Sequence, residues 1–193
     1  MSEDRRAARA VTGFPAGRTA RLVIRLLRIE DAPAFRDLTD DPAITGRIHF
    51  LSPPFTLADA QALIHGKGDG RDGFLGLWSP DSGDLLGVVG VHLQPAQDIE
   101  IGYWVRPDHH GRGLAGEALS WVIARLPSLY PGWPIFAECR DDNAPSRRVL
   151  EKAGFRTDGA AGYRPGRRRY GYDPEAPAAA VTGPAAEGQK PRS

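Results

Sequence analysis

The sequence contains one cysteine, Cys139. A single thiol cannot build a disulfide framework or a cysteine-rich zinc site. Of five histidines, His109 and His110 are adjacent, but no second ligand pair stands at metal spacing, so no metal is expected. No apolar run approaches the roughly 18 residues that a membrane-spanning helix needs. Met1 to Arg6 are mostly charged and lead into no apolar core, so a secretory signal peptide is not expected. An excess of one charge is also lacking. The 25 Lys and Arg against 24 Asp and Glu leave a net charge of +1, too even to imply a nucleic-acid-binding surface. These absences lead to the expectation of a soluble, cytoplasmic protein that partners neither nucleic acid nor membrane. No internal repeat is visible.

What remains is an ordinary globular composition, with 41% hydrophobic and 25% charged residues over 193 positions. That length fits one domain with flanking tails. Residues 1–18 are rich in Arg, Ala and Gly without periodicity and read as a loose leader. Residues 174–193 are Ala/Pro-rich and nearly free of large apolar side chains. They cannot bury enough surface to offset the entropy of ordering, which predicts a disordered tail. The folded domain is therefore expected at 19–173.

Within it, residues 21–29 read as a strand, followed by a helix that starts near Pro33 and runs to about Leu38. Thr56 is a candidate N-cap for a second helix, whose apolar face would be Leu57, Ala60, Ala62, Leu63 and Ile64. Residues 73–79, 85–93 and 99–106 read as three strands. The turn Pro80-Asp81-Ser82-Gly83 makes the first two a hairpin. From Leu114 the apolar period becomes helical, and Pro127 is expected to end that helix. A strand over 135–139, a helix over 144–153 and a last strand pair complete a β-α-α-β-β-β-α-β-α-β-β order. The implied fold class is mixed α/β, a mostly antiparallel central sheet flanked by helices.

The segment His110-Gly111-Arg112-Gly113-Leu114-Ala115 joins a strand to an amphipathic helix. Glycines permit positive φ and close approach of backbone to a ligand. The first N–H groups of a helix lack intrahelical partners and suit a pyrophosphate. Arg112 could add a charge-assisted contact. The same glycines satisfy G-x-G-x-x-G, with Glu138 at dinucleotide-motif spacing, but antiparallel-looking strands precede them and oppose a nucleotide-binding βαβ unit. A glycine-rich helix start without a ligand also fits.

Two further segments flank this cradle: Glu100-Ile101-Gly102-Tyr103-Trp104-Val105 before it, and Asn143-Ala144-Pro145-Ser146 through Glu151-Lys152-Ala153-Gly154-Phe155 after it. In this order and spacing, over residues 20–173, the three resemble the GNAT superfamily of N-acetyltransferases. Within it they look most like the RimJ/RimL-type branch of ribosomal-protein N-terminal acetyltransferases. The resemblance implies acetyl-coenzyme A as cosubstrate, with the pyrophosphate on the backbone amides of His110 to Ala115. His110 stands where the family usually has Gln or Arg. The resemblance also implies that Asn143 contacts the pantetheine arm and that the Val105 backbone lies near the acetyl group.

Moving an acetyl group from a thioester to an amine requires proximity, a proton acceptor, a donor to the oxyanion and relief of the leaving thiolate. Glu100 is the candidate base. Strand alternation places it with Gly102 and Trp104 on one face, opposite Ile99, Ile101, Tyr103 and Val105. A salt-bridged structural glutamate is the plain alternative. Ser146 is the candidate partner of the thiolate, with a helix-capping hydroxyl as its alternative. The tyrosine that many members carry one turn on is Leu150 here. A backbone N–H near Val105 would serve the oxyanion, at a bulge if the strand has one. Cys139 reads as a buried small hydrophobe, which favours direct transfer in a ternary complex. By the same resemblance, residues 49–55 and about 162–170 would wall the acceptor groove. The second stretch holds Arg164, Arg167, Arg168 and Arg169, which suit an acidic ligand or simply a solvated turn. Trp78, His92 and Trp104 are candidates for groove or core.

The acceptor is thus expected to be a protein N-terminal α-amine or a small-molecule amine, handled by a monomer or homodimer. A coenzyme-A-binding module without turnover and an NAD-binding domain are the readings from other classes.

Overall fold

Residues 72–105 carry three β-branched and aromatic runs separated by two tight turns, and they fold as a meander. The computed structural model describes residues 10–157 and 159–175. Strands β3 (Asp72–Trp78), β4 (Leu85–Leu93) and β5 (Ile99–Val105) pair antiparallel in sequence order. Ahead of them lie β1 (Gly17–Arg18) and β2 (Val23–Leu26), also antiparallel. Beyond them come β6 (Ile135–Arg140), β7 (Phe155–Arg156) and β8 (Arg167–Tyr172). Among the described residues the sheet has eight strands in the order β1-β2-β3-β4-β5-β6-β8-β7, and of these only β5 and β6 run parallel, through Ile99–Ile135 and Glu100–Phe136. The fold is the mixed α/β arrangement expected: the strands before the glycine-rich segment form an antiparallel meander, and the segment itself lies in the crossover between the parallel β5 and β6.

Helices cover both faces. On one face lie α1 (Ala32–Thr39), α2 (Pro42–Thr45) and α3 (Leu57–His65). Thr56 caps α3 as expected, in a reciprocal box with Asp59. Leu57 of the expected apolar face is instead 41% exposed. The core beneath is aromatic: the Phe35 ring lies 5.7–6.0 Å from those of Phe55, Phe74 and Trp104. The other face carries α4 (Leu114–Ile123), α5 (Leu126–Leu129) and α6 (Ala144–Lys152). Pro127 does not close α4. It sits in the first turn of α5, where a missing N–H costs nothing.

The expected loose leader is corrected by the structure. Val11 is fully buried, and its N–H donates to the Gly70 carbonyl at 2.7 Å. Phe14 is 5% exposed and packs on Trp121 at 6.1 Å. Gly17 and Arg18 form the edge strand. The absence of periodicity hid this, because three isolated anchors need none. Residues 1–9 and the expected tail from 176 onward lie outside the described residues. Among the described residues no helix is long and apolar enough to cross a membrane, and no His, Cys, Asp or Glu cluster could hold a metal ion.

Phe14→Ala is expected to lower unfolding free energy by about 3–5 kcal/mol, the cost of emptying a buried aromatic site. Urea denaturation monitored by circular dichroism checks this; a loose leader would give no change.

Candidate active site

After residue 100, strand β5 keeps its ladder to β4 while β6 keeps its ladder to β8. The two strands separate, and the sheet opens between them. The Ile99 N–H donates to the Pro134 carbonyl on the β6 side, and the Arg106 N–H donates to the Leu86 carbonyl on the β4 side. Strand alternation between these anchors directs the amides of Ile101, Tyr103 and Val105 into the gap. The β4–β5 register runs without a shift from Leu93–Ile99 to Gly87–Val105, so β5 has no bulge and a regular strand presents the Val105 amide. The irregularity sits one strand over, between β3 and β4 at Leu77/Trp78.

The gap is part of a single cleft of about 1470 Å³ that passes through the sheet. On the α4–α6 side it is lined by Gly111, Gly113, Leu114, Ala115, Asn143 and Ser146. On the α1–α3 side it reaches His49, Phe50, Phe74, His92, Glu100 and Arg164.

The cradle has the geometry of an anion site. Gly111 and Gly113 hold φ of 73° and 78°, left-handed values that side chains rarely adopt. Gly113 is the N-cap of α4, and the first helical bond is donated by the Glu117 N–H to the Gly113 carbonyl. The N–H groups of Leu114, Ala115 and Gly116 therefore have no intrahelical acceptor and head the helix dipole. Glu117 is held away by Arg21, which donates through Nε to Oε2 at 2.7 Å and through Nη1 to the Arg112 carbonyl at 2.6 Å. Arg112 does not line the cleft, and its Nη2 donates to the Asp108 carbonyl. His110 lines the cleft at the start of the cradle. Its Nε2 hydrogen-bonds the Val105 carbonyl at 2.8 Å, pinning the end of β5 to the cradle. A carbonyl can only accept, so this nitrogen carries the proton. These features fit the pyrophosphate of coenzyme A.

Asn143 is the N-cap of α6, and its Oδ1 accepts from the Ser146 N–H at 3.2 Å. Ser146 is thus capped, not the cap. Its Oγ lies 2.8 Å from the Tyr103 hydroxyl, which also reaches the Ser146 carbonyl at 3.1 Å. Tyr103 ties β5 to α6, and burial holds its hydroxyl well above the usual tyrosine range, so it stays protonated. Sequence reasoning missed this pair, because the two residues are 43 apart along the chain. Cys139 is 3% exposed, and burial raises its thiol, in keeping with a small hydrophobe.

Glu100 lies in the cleft on the face assigned by alternation, but it is not free. Arg164, from the loop before β8, donates from Nη1 to Glu100 Oε1 at 2.6 Å and from Nη2 to Oε2 at 3.0 Å. Gln94 donates to the same Oε2 at 3.3 Å. Arg164 also donates from Nη1 to Glu138 Oε2 at 2.8 Å and from Nε to His49 Nε2 at 3.0 Å. The Glu138 side chain is only 1% exposed, and it also accepts from the Tyr163 N–H. These carboxylates hold the guanidinium firmly charged, Glu100 foremost. Burial, then the nearby Arg164 and Arg167 charges, depress the His49 pKa and leave its imidazole neutral.

The arginine run is therefore not one solvated turn. Arg164 and Arg167 line the cleft, Arg168 pairs with Asp141 outside, and Arg169 stacks on Phe136 and pairs with Asp98. Trp104 and His92 line the cleft, the latter paired with Asp72 at 2.7 Å, whereas Trp78 does not reach it.

Residues 21–156 match the family model described as acetyltransferase (GNAT) domain. An uncharacterized N-acetyltransferase of Bacillus subtilis, YoaA, is 30% identical over 152 residues, 76% of this chain and 85% of that protein. The ribosomal-protein-serine acetyltransferase of Escherichia coli is 31% identical over 78 residues, 39% of this chain and 44% of that protein. Two solved structures share the fold. The ribosomal L7/L12 alpha-N-protein acetyltransferase RimL, in complex with coenzyme A, aligns with a TM-score of 0.69 and 17% identity, covering 79% of this chain and 94% of that one. A chimera of the spermidine N-acetyltransferase SpeG of Vibrio cholerae aligns with a TM-score of 0.65 and 16% identity, covering 79% and 95%.

Gly113→Ala is expected to weaken acetyl-coenzyme A binding about tenfold, because a Cβ in left-handed backbone costs about 1–2 kcal/mol and the loop relaxes away from its anion-binding shape. Isothermal titration calorimetry checks this, and an unchanged Kd would remove the cradle from the site.

Proposed function

The chain belongs to the GNAT acetyltransferase family, and on that premise we propose that it acetylates the α-amine at the N-terminus of a peptide or protein by direct transfer. It is an acetyl-coenzyme-A-dependent N-acetyltransferase, and its acceptor bears an amine. One observation carries the direct-transfer reading: a single cleft crosses the sheet from the Gly111–Gly113 cradle to Glu100. The acceptor and the cosubstrate can enter from opposite faces and meet at the β5–β6 gap. Preference for an N-terminal α-amine is supported by the three RimJ/RimL-like segments and by the ribosomal-protein-serine acetyltransferase among the relatives. A small cationic amine is the second reading. The seating of the Arg164 guanidinium between two carboxylates favours it.

The residues divide the work as follows. Acetyl-coenzyme A supplies the acetyl group as an activated thioester. The amides of Leu114, Ala115 and Gly116 hold its pyrophosphate, and Asn143 orients the arm that reaches the gap. The Val105 N–H, aimed into the gap, donates to the carbonyl oxygen as that oxygen gains negative charge. Glu100 accepts a proton from the acceptor's ammonium group, directly or through water. Ser146, backed by the protonated Tyr103, donates a hydrogen bond to the departing sulfur. A thiol with an ordinary pKa of about 8.5 needs little more. The net change converts an ammonium and a thioester into an amide, a thiol and one proton. The catalytic unit includes the buried anchors Val11 and Phe14 ahead of the expected 19–173 domain.

Calorimetry of the purified protein is expected to show acetyl-coenzyme A binding and no NAD binding. Glu100→Gln should lower kcat/KM by a factor of about 10²–10⁴, the usual worth of a general base, and leave acetyl-coenzyme A affinity intact. Thiol release with peptide and polyamine acceptors then separates the two acceptor readings. Loss of activity together with loss of acetyl-coenzyme A binding would make Glu100 structural.

A further inference from the structure

Arg164 engages the proton-accepting groups at the acceptor end of the cleft. Both Glu100 oxygens, one Glu138 oxygen and the His49 Nε2 accept from its three guanidinium nitrogens. Its other neighbours are Gln94, which donates to Glu100, and Arg167, which turns its Nη2 to the Arg47 carbonyl. The two-pronged guanidinium and Gln94 take three of the four lone-pair sites of Glu100, and they crowd the approach of a substrate to the fourth. Arginine does not give up its own proton, so it cannot relay one. Departure of the guanidinium therefore frees Glu100 for proton transfer. When it leaves, Glu100 and the almost fully buried Glu138 remain side by side without a cation. Two carboxylates in a partly desolvated site strongly favour a replacement positive charge.

We propose that the Arg164 guanidinium occupies the seat of the acceptor's ammonium group, so that the acceptor site selects an aliphatic primary amine in its charged form and Arg164 competes with it. This rests on the acetyltransferase reading of the same cleft. The seat takes the shared chemistry of a peptide N-terminus, a lysine-like side chain or a polyamine, namely a charged –NH3⁺ on an sp³ carbon. It disfavours arylamines, which are neutral near pH 7. His49 and Gln94, at the rim of the seat, lose or keep their partners according to which cation is present. Arg164 is thus a specificity-determining residue. The observed pairing raises the apparent KM by the fraction of time the seat is filled.

The test compares the wild type with Arg164→Ala and Arg164→Lys, each saturated with coenzyme A or acetyl-coenzyme A. Calorimetry with ethylguanidinium needs no turnover and probes the seat alone. Ethylguanidinium is expected to bind Arg164→Ala and not the wild type, and to raise the melting temperature of the variant. In the kinetic arm, the KM for aliphatic amines should fall about tenfold or more in Arg164→Ala, with ethylguanidinium now competitive against amine and not against acetyl-coenzyme A. If Arg164→Ala does not fold, Arg164→Lys carries the test. A lysine ammonium cannot make the two-pronged contact, so the seat is held less firmly and the KM should again fall. A raised KM in either folded variant, or no ethylguanidinium binding to folded Arg164→Ala, overturns the proposal and leaves Arg164 as a fixed part of the groove. If ethylguanidinium binds Arg164→Ala but no peptide or polyamine is acetylated by any form, the cation seat stands and the acceptor reading falls. If peptides are acetylated but the seat stays closed to ethylguanidinium, the reverse holds.

Discussion

Everything of chemical interest in this protein follows from the separation of β5 and β6 after two residue pairs. A parallel ladder that continued would consume the amides of Ile101, Tyr103 and Val105 and seal the sheet. Because β6 stays with β8 and β5 stays with β4, the sheet divides into two halves with polar backbone exposed along the split. Unpaired buried amides are costly, so such an opening persists only where a ligand or other polar groups fill it. Tyr103 ties β5 to α6 beside it, its hydroxyl on Ser146. His110 ties the end of β5 to the cradle, which keeps the split aligned with the anion-binding end of α4.

The other mouth of the split is lined by charge. Glu138 lies mid-strand with 1% of its side chain exposed, a position where a lone carboxylate would be strongly destabilising. Arg164 supplies the compensation and in doing so draws in Glu100 and His49. The loop before β8 is thereby fastened to the site. One guanidinium holds the loop in place and occupies the space in front of Glu100. Stability and chemistry pull on it in opposite directions, as is common where an active site carries buried charge.

Much of the scaffold was legible beforehand. The β4 boundaries, the N-cap at Thr56, the start of α4 at Leu114 and the alternation of β5 all follow from local rules of period, capping and turn chemistry. The cradle was legible for the same reason, since positive φ at Gly111 and Gly113 is a local property of glycine. The misses share a cause as well. Val11 and Phe14 are anchors in a stretch without period, and only their partners, Gly70 and Trp121, make them part of the core. Pro127 reads as a stop because its role in opening a further short helix depends on the turn after α4. Arg164 reads as one of four similar arginines, and nothing local distinguishes it from Arg168, which pairs outside the cleft.

By itself the sequence determined the class of chemistry: a glycine-rich helix start for a pyrophosphate, a glutamate on the correct strand face, and a resemblance spanning three segments. These are short-range features, each settled within a turn or a strand. Only the tertiary structure decided what those groups are free to do. It joined Tyr103 to Ser146 across 43 residues, Glu100 to Arg164 across 64, and Glu138 to Arg164 across 26. Hydrogen bonds and ion pairs act over a few ångströms and disregard sequence distance. The pairing of Glu100 and Glu138 with Arg164 and the neutrality of His49 therefore emerge only when the sheet brings these residues to one gap.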